Sequence, residues 1–234
     1  MNARRLLCPL LVAVAAVLHP ASARAGTIVR FDTTVADFDV ELFDDAMPIT
    51  VANFLSYVNA GTYTSTLIHR STTYNPADIQ IIQGGGYLLS GNQILSVPTN
   101  APIVLESGTA TNVRGTIAMA RGAATDSATT QFFFNVQSNP ALNGNYAVFG
   151  RVVGAEGLAA LDTLGLVPVY DLSQQFGSAF GEVPLTVATL EPSSLVLVNS
   201  VTAVPEPSTL LLAIVGLAAA LRRGPSRRSG SPLA

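Results

Sequence analysis

The side chains that could do chemistry in this chain are few, and their scarcity narrows the reaction. Between residues 26 and 203, the stretch left inside two terminal segments described below, there is one histidine, His69, and five arginines, Arg30, Arg70, Arg114, Arg121 and Arg151. Lysine is absent from the chain, and its single cysteine, Cys8, precedes this stretch. A thiol nucleophile, a disulfide framework and a Cys/His zinc site therefore lack their ligands. Schiff-base and Walker-type phosphate chemistry lack their amine. The five arginines stand against fourteen Asp and Glu, a formal net charge of −9, so nucleic acid is a poor partner for this surface. His69 has no partner carboxylate in view and reads as a hydrogen-bonding core residue rather than a base.

One stretch pairs polar and aromatic groups in a way that suits binding. Gly115-Thr-Ile-Ala-Met-Ala-Arg121 and Gln131-Phe-Phe-Phe-Asn-Val136 are short apolar runs joined by a small, polar loop, the pattern of two buried strands. With a period of two, Phe132 and Phe134 face one side while Phe133 shares the other with Gln131. That pairing fits a shallow apolar pocket whose rim hydrogen-bonds a peptide. The plainer alternative is a strand-edge glutamine beside a core phenylalanine.

The elements around this stretch are mostly strands. Residues 27–33 and 38–43 flank a turn, and Phe38, Val40 and Leu42 alternate with polar neighbours. Pro48 suits a first helical position, Val51, Phe54, Leu55 and Val58 form one apolar stripe, and Gly61 offers a terminator. Further strands are predicted at 79–82, 103–106, 115–120, 131–136, 148–153 and 195–201, with a second helix over 155–164. Many short strands and two helices imply a closed antiparallel barrel or a sandwich.

The ends read as addresses. Arg4 and Arg5 precede an apolar run from Leu6 to Leu18 and small-x-small sites at Ala21-Ser22-Ala23 or Ala23-Arg24-Ala25, so residues 1–25 are predicted to be a signal peptide. Over 204–234, Val204-Pro-Glu-Pro-Ser208 is followed by an apolar run from Leu210 to Leu221 and then by Arg222, Arg223, Arg227 and Arg228. The run is short beside the roughly 17 to 25 residues of a spanning helix; a plain C-terminal anchor, with the arginines on the cytoplasmic side, is one reading. The ordered triplet resembles PEP-CTERM sorting signals, which implies exosortase processing, membrane contact through the tail, and an exported protein of the periplasm, envelope or extracellular space.

Seven blocks in order resemble bacterial cyclophilins, the cyclophilin-type peptidyl-prolyl cis-trans isomerases: Pro48-Ile-Thr-Val-Ala-Asn-Phe54, Gly61-Thr-Tyr63, His69-Arg70, Ile81-Ile-Gln-Gly-Gly-Gly86, Gly115 to Arg121, Ser127 to Phe133 and Tyr146-Ala-Val-Phe-Gly150. The resemblance spans about residues 27–166 and resumes in the last strand. It implies a closed eight-stranded antiparallel β-barrel capped by two α-helices, with the site on an outer face, no cofactor and no metal, and proline-containing segments of unfolded or exported chains as partners. Arg70 matches the catalytic arginine. Gln83 matches the glutamine that bonds the substrate backbone and helps hold that arginine. Ala120, Arg121 and Gln131 match groove residues, Phe133, Ile81 and Leu142 the walls of the proline pocket, and Tyr146 a position often held by histidine.

The chain departs from the pattern in four places. Residues 71–78 lengthen the turn between Arg70 and Gln83. Gln80 stands where a pocket phenylalanine is usual and Ala141 where a large aromatic is, and Tyr74 is a candidate to swing into the gap. Residues 167–194 form an inserted arm, in which Leu172, Phe176 and Phe180 could lie on the barrel as a lid or dock a partner; a locally packed surface arm is the simpler expectation. Besides the isomerase, a catalytically weak proline-peptide-binding module and an envelope or matrix scaffold therefore remain as readings of the sequence.

Overall fold

In the computed structural model, residues 26–72 and 79–205 are described. In chain order the elements are β1 (Ile28–Thr33), β2 (Phe38–Leu42), α1 (Pro48–Asn59), β3 (Thr66–Ser71), β4 (Ile81–Ser90), β5 (Gln93–Ser96), β6 (Thr116–Met119), β7 (Phe132–Asn135), β8 (Val148–Val152), α2 (Gly154–Gly165), β9 (Val169–Tyr170), α3 (Ser173–Phe176), β10 (Val183–Pro184) and β11 (Leu197–Ala203). The sheet runs β3-β11-β1-β2-β8-β6-β7-β4, and β4 pairs back onto β3, so eight antiparallel strands close on themselves. β5 is a ninth strand, added to β4 as an external hairpin. Closure removes the edges that an open sheet would present.

Aromatic side chains fill the interior. Phe31 meets Phe132 and Phe134 edge-on at 5.4 and 5.2 Å, and Phe54 of α1 lies 5.1 Å from Phe149. Such edge-to-face pairs add to the area that each ring buries. α1 contributes Val51, Phe54, Tyr57 and Val58 to this cluster, with Leu55 only half-buried, and α2 contributes Leu161 and Leu164.

Three predicted elements change. The strand expected at 103–106 is reduced to one bridge, Ile103 to Ala128. Its backbone is occupied otherwise: Leu105 N donates to Asp126 Oδ1 at 2.8 Å, and the Glu106 carboxylate accepts from the amides of Ile49 and Thr50 at 3.2 and 2.8 Å. Glu106 thus supplies the acceptor that the first turn of α1 lacks locally. The strand expected at 79–82 instead begins at Ile81 and continues through Gly84-Gly85-Gly86 to Ser90. Glycine is needed at Gly85, whose φ is 78° and whose Cβ would meet the backbone oxygen of Thr130 at 2.9 Å. Residues 167–194, predicted as a simple arm, fold into β9, α3 and β10. Leu172 and Phe180 are buried with Leu67, Leu185 and Leu195 against the barrel's outside, whereas Phe176 stays 40% exposed. The signal region, Tyr74 and the apolar run 210–221 lie outside the described residues.

Candidate functional site

A row of paired residues carries the site across the outer face. Arg70 on β3 lies opposite Gln83 on β4, Gln83 opposite Phe133 on β7, and Phe133 opposite Ala118 on β6. Directly opposed residues of antiparallel strands share a face, so all four point away from the interior that Phe132 and Phe134 fill. β3 needs an irregularity to achieve this. Ile68 pairs with Gly84 and Arg70 with the next residue, Gln83, so His69 is an extra residue in the strand. Without that bulge Arg70 would share the inward face of Ile68, which packs in the core.

Beneath the row is an apolar depression. Phe133, Ile81, Leu142, Ala118, Ala120 and Val148 pack together as a cluster of their own, outside the barrel. Tyr146 meets Phe133 edge-on at 5.3 Å, and the Arg121 guanidinium carbon lies 5.3 Å from the Tyr146 ring centre. Arg121 also ties the loop after β6, donating to the carbonyls of Asn145 at 2.7 Å and Gly122 at 3.1 Å. A cavity of about 290 Å³ opens over these side chains, with Arg70 and Gln83 on its polar side. Gln131 is not on its wall. Its Oε1 accepts from Gln83 Nε2 at 2.9 Å, and it lines an adjoining cleft of about 520 Å³ that also contains Arg70, Gln83 and Glu182.

Local structure positions each part. The loop before Gln131 is held by Tyr63, whose hydroxyl donates to Thr130 O at 2.8 Å, and by Asn53 Nδ2, which donates to Thr129 O at 2.7 Å. Burial keeps the Tyr63 hydroxyl protonated, its pKa well above the ordinary value. Gly86 leaves the room that the Gln131 amide occupies. Leu142 ends a short 3₁₀ turn standing on a buried asparagine network, in which Asn139 Nδ2 donates to Asn135 Oδ1 at 2.8 Å and Asn135 Nδ2 to Thr116 Oγ1 at 2.9 Å. The link to Thr116 has no local signature in the sequence, because it joins residues 19 positions apart.

Thr72 and Ile79 also line the cavity and were not among the residues singled out from sequence. Gln80 does not line it: its backbone is clamped by Asn139, which accepts from Gln80 N and donates to Gln80 O, both at 3.0 Å. Ile79, one residue earlier, supplies apolar surface at that margin. Ala141 is exposed and adds no wall. His69 is 2% exposed, with Tyr87 at 4.9 Å edge-on, and its Nδ1 has no hydrogen-bond partner. Burial pushes its pKa down to about 4, with Leu67 O opposing and Arg70 adding to the fall. It is a core residue as expected, though Nδ1 does not bond.

Comparison with known proteins agrees in sequence and in shape. A family model described as cyclophilin type peptidyl-prolyl cis-trans isomerase/CLD matches residues 28–184, and one described as a PEP-CTERM protein-sorting motif matches residues 203–228. A peptidyl-prolyl cis-trans isomerase of Acinetobacter baylyi is 37% identical over 163 residues, covering 67% of this chain and 81% of that protein. Peptidyl-prolyl cis-trans isomerase B of Escherichia coli is 38% identical over 146 residues, covering 58% and 83%. The crystal structure of a cyclophilin-type isomerase from Cryptosporidium parvum aligns with a TM-score of 0.56 at 24% identity, over 77% of this chain and 99% of that one; at that identity the likeness speaks to the fold.

Proposed function

The chain belongs to the cyclophilin-type family of peptidyl-prolyl cis-trans isomerases and is itself such an isomerase, and we propose that Arg70 is the group that lowers the barrier. An X-Pro bond resists rotation because the nitrogen lone pair is shared with the carbonyl, with a barrier of roughly 18 to 20 kcal/mol. A proline ring seated over Phe133, Ile81 and Leu142 brings its nitrogen to the polar side of the cavity. There a guanidinium hydrogen bond localises the lone pair and favours the twisted state over either planar one. Arginine remains charged at any relevant pH. Gln83, braced by Gln131, holds the peptide backbone, and Ala120, Arg121 and Tyr146 bound the groove.

The observation that supports this reading is the placement of Arg70 and of Gln83, bonded to Gln131 behind it, beside a cavity floored by Phe133, Ile81 and Leu142. A protease-coupled assay on a proline tetrapeptide tests it. Arg70→Ala is expected to lose about 10²-fold or more in kcat/KM at unchanged thermal stability; full activity refutes the assignment. The absence of a large side chain at Ala141 and of the Gln80 side chain from the cavity favours, as a second reading, a proline-peptide-binding module with slow turnover. Binding without acceleration in the same assay would establish that reading instead.

The sorting motif marks an exported, envelope-associated protein whose tail is a substrate for an exosortase. We place the barrel, residues 26–203, outside the cytoplasm, preceded by a cleaved signal peptide at 1–25 and followed by the sorting tail at 204–234. Its substrates there are proline-containing segments of exported chains still folding. Detection of the mature N-terminus near residue 26 in an envelope fraction checks this placement.

A further inference from the structure

The arm between α2 and β11 places a carboxylate on Arg70. Glu182 Oε2 accepts from Arg70 Nε at 2.9 Å, and both side chains are 45% exposed. An exposed ion pair of this kind adds little to folding stability, so stability does not explain why the arm is built around it. The building is visible on both flanks. Glu182 O accepts from Ser71 N at 2.8 Å, beside Arg70 on β3. Val183, the next residue, is buried and paired with Tyr170, and Phe180, two residues earlier, is buried with its ring 4.6 Å from Tyr87. The carboxylate is thus presented from a packed platform, and a side chain held in this way can orient another. The cleft beside this platform shares Arg70 and Gln83 with the apolar cavity, so the ion pair stands where the two meet.

We propose that Glu182 is a positioning residue for the isomerase reaction, holding Arg70 through Nε so that the guanidinium faces the nitrogen of a proline in the cavity. The inference rests on the assignment of Arg70 above. A free arginine samples many side-chain rotamers, and only orientations aimed at the prolyl lone pair stabilise the twisted state. A carboxylate on the Nε edge sets the plane of the fork. Glutamine keeps an acceptor oxygen at the same reach, whereas alanine leaves none.

The test compares the purified full chain with Arg70→Ala, Glu182→Ala, Glu182→Gln and Arg151→Ala in the proline tetrapeptide assay. Arg151→Ala breaks a similar exposed pair, with Glu41, away from the cavity. Glu182→Ala is expected to lower kcat about tenfold with KM and Tm held. Glu182→Gln is expected to restore most of that loss, and Arg151→Ala to change nothing. Wild-type turnover in Glu182→Ala, with Arg70→Ala inactive, overturns the positioning role while leaving Arg70 in place. Faster turnover in Glu182→Ala also overturns it, since the carboxylate would then be restraining the cation. Wild-type turnover in Arg70→Ala removes the assignment on which the inference rests.

Discussion

Two apolar patches lie on the outside of one barrel, and the chain treats them differently. One, at Leu67 and Leu195, is roofed by the arm through Leu172, Phe180, Val183 and Leu185. The other, centred on Phe133, Ile81 and Leu142, is left with a cavity over it and an arginine and a glutamine at its side. Both lie on the outer surface of the same closed sheet, one over β3 and the other over β6, β7 and β8, so barrel closure does not by itself decide which patch binds. An apolar surface covered by the protein's own chain contributes to folding; one left uncovered and edged by fixed donors is available to a ligand.

Replacing the ring at the heart of each patch separates the two roles most widely. Phe180→Ala and Phe133→Ala each remove a buried side chain, and each is expected to destabilise by about 3 to 5 kcal/mol, read from denaturant midpoints. Activity per folded molecule then distinguishes them: Phe133→Ala is expected to lose most of its turnover with the floor of the cavity, while Phe180→Ala, which only loosens the platform under Glu182, is expected to lose no more than Glu182→Ala does. Equal residual activities would break the comparison.

Acid should act on the roofed patch first. His69 lies beneath Tyr87 and Phe180, and its pKa falls from the ordinary 6.5 to about 4. Because the folded value is the lower one, the unfolded chain takes up the proton first as pH falls. The stability linked to His69 is therefore whole above about 6.5 and is lost between there and 4, amounting to about 3 kcal/mol. His69→Phe is expected to flatten the acid side of the Tm profile. Over the same range, while the protein remains folded, kcat/KM should stay level, since an arginine does not titrate there; a bell-shaped profile would place a titrating group in the reaction.

The smallest expected effect lies at the rim. A Cβ at Gly86 would stand 2.6 Å from Gln131 Cδ and 2.7 Å from its Nε2. The end of that side chain can swing aside, so Gly86→Ala should cost under about 1 kcal/mol of stability. The swing breaks the bond to Gln83, and kcat/KM is expected to fall about threefold to tenfold, in keeping with one neutral hydrogen bond. A loss of stability without a loss of rate would show that Gly86 serves packing alone.

Much of this was legible along the chain because it is local. The alternation at Phe132, Phe133 and Phe134 separates the interior from the outer cluster, and the stripe on α1 and the leucines of α2 mark their buried faces. Other features misled for physical reasons. The expected strand stopped at Ile82, whereas Gln83 and the three glycines continue it between β3 and β7. Glu106 read as the end of a strand, whereas its carboxylate serves a helix 56 residues earlier. The pocket side chain expected at Gln80 is supplied from Ile79, because distant Asn139 holds the Gln80 backbone.

The sequence by itself determined the inventory: an arginine in place of any thiol or amine, strands with one apolar face, and a C-terminal sorting motif. These follow from residue type and short-range period, which need no partner. Only the tertiary structure decided that a bulge at His69 turns Arg70 outward, that Glu182 reaches it from 112 residues away, and which apolar patch stays open. Each of those depends on contacts between distant segments, whose register the closing of the barrel sets.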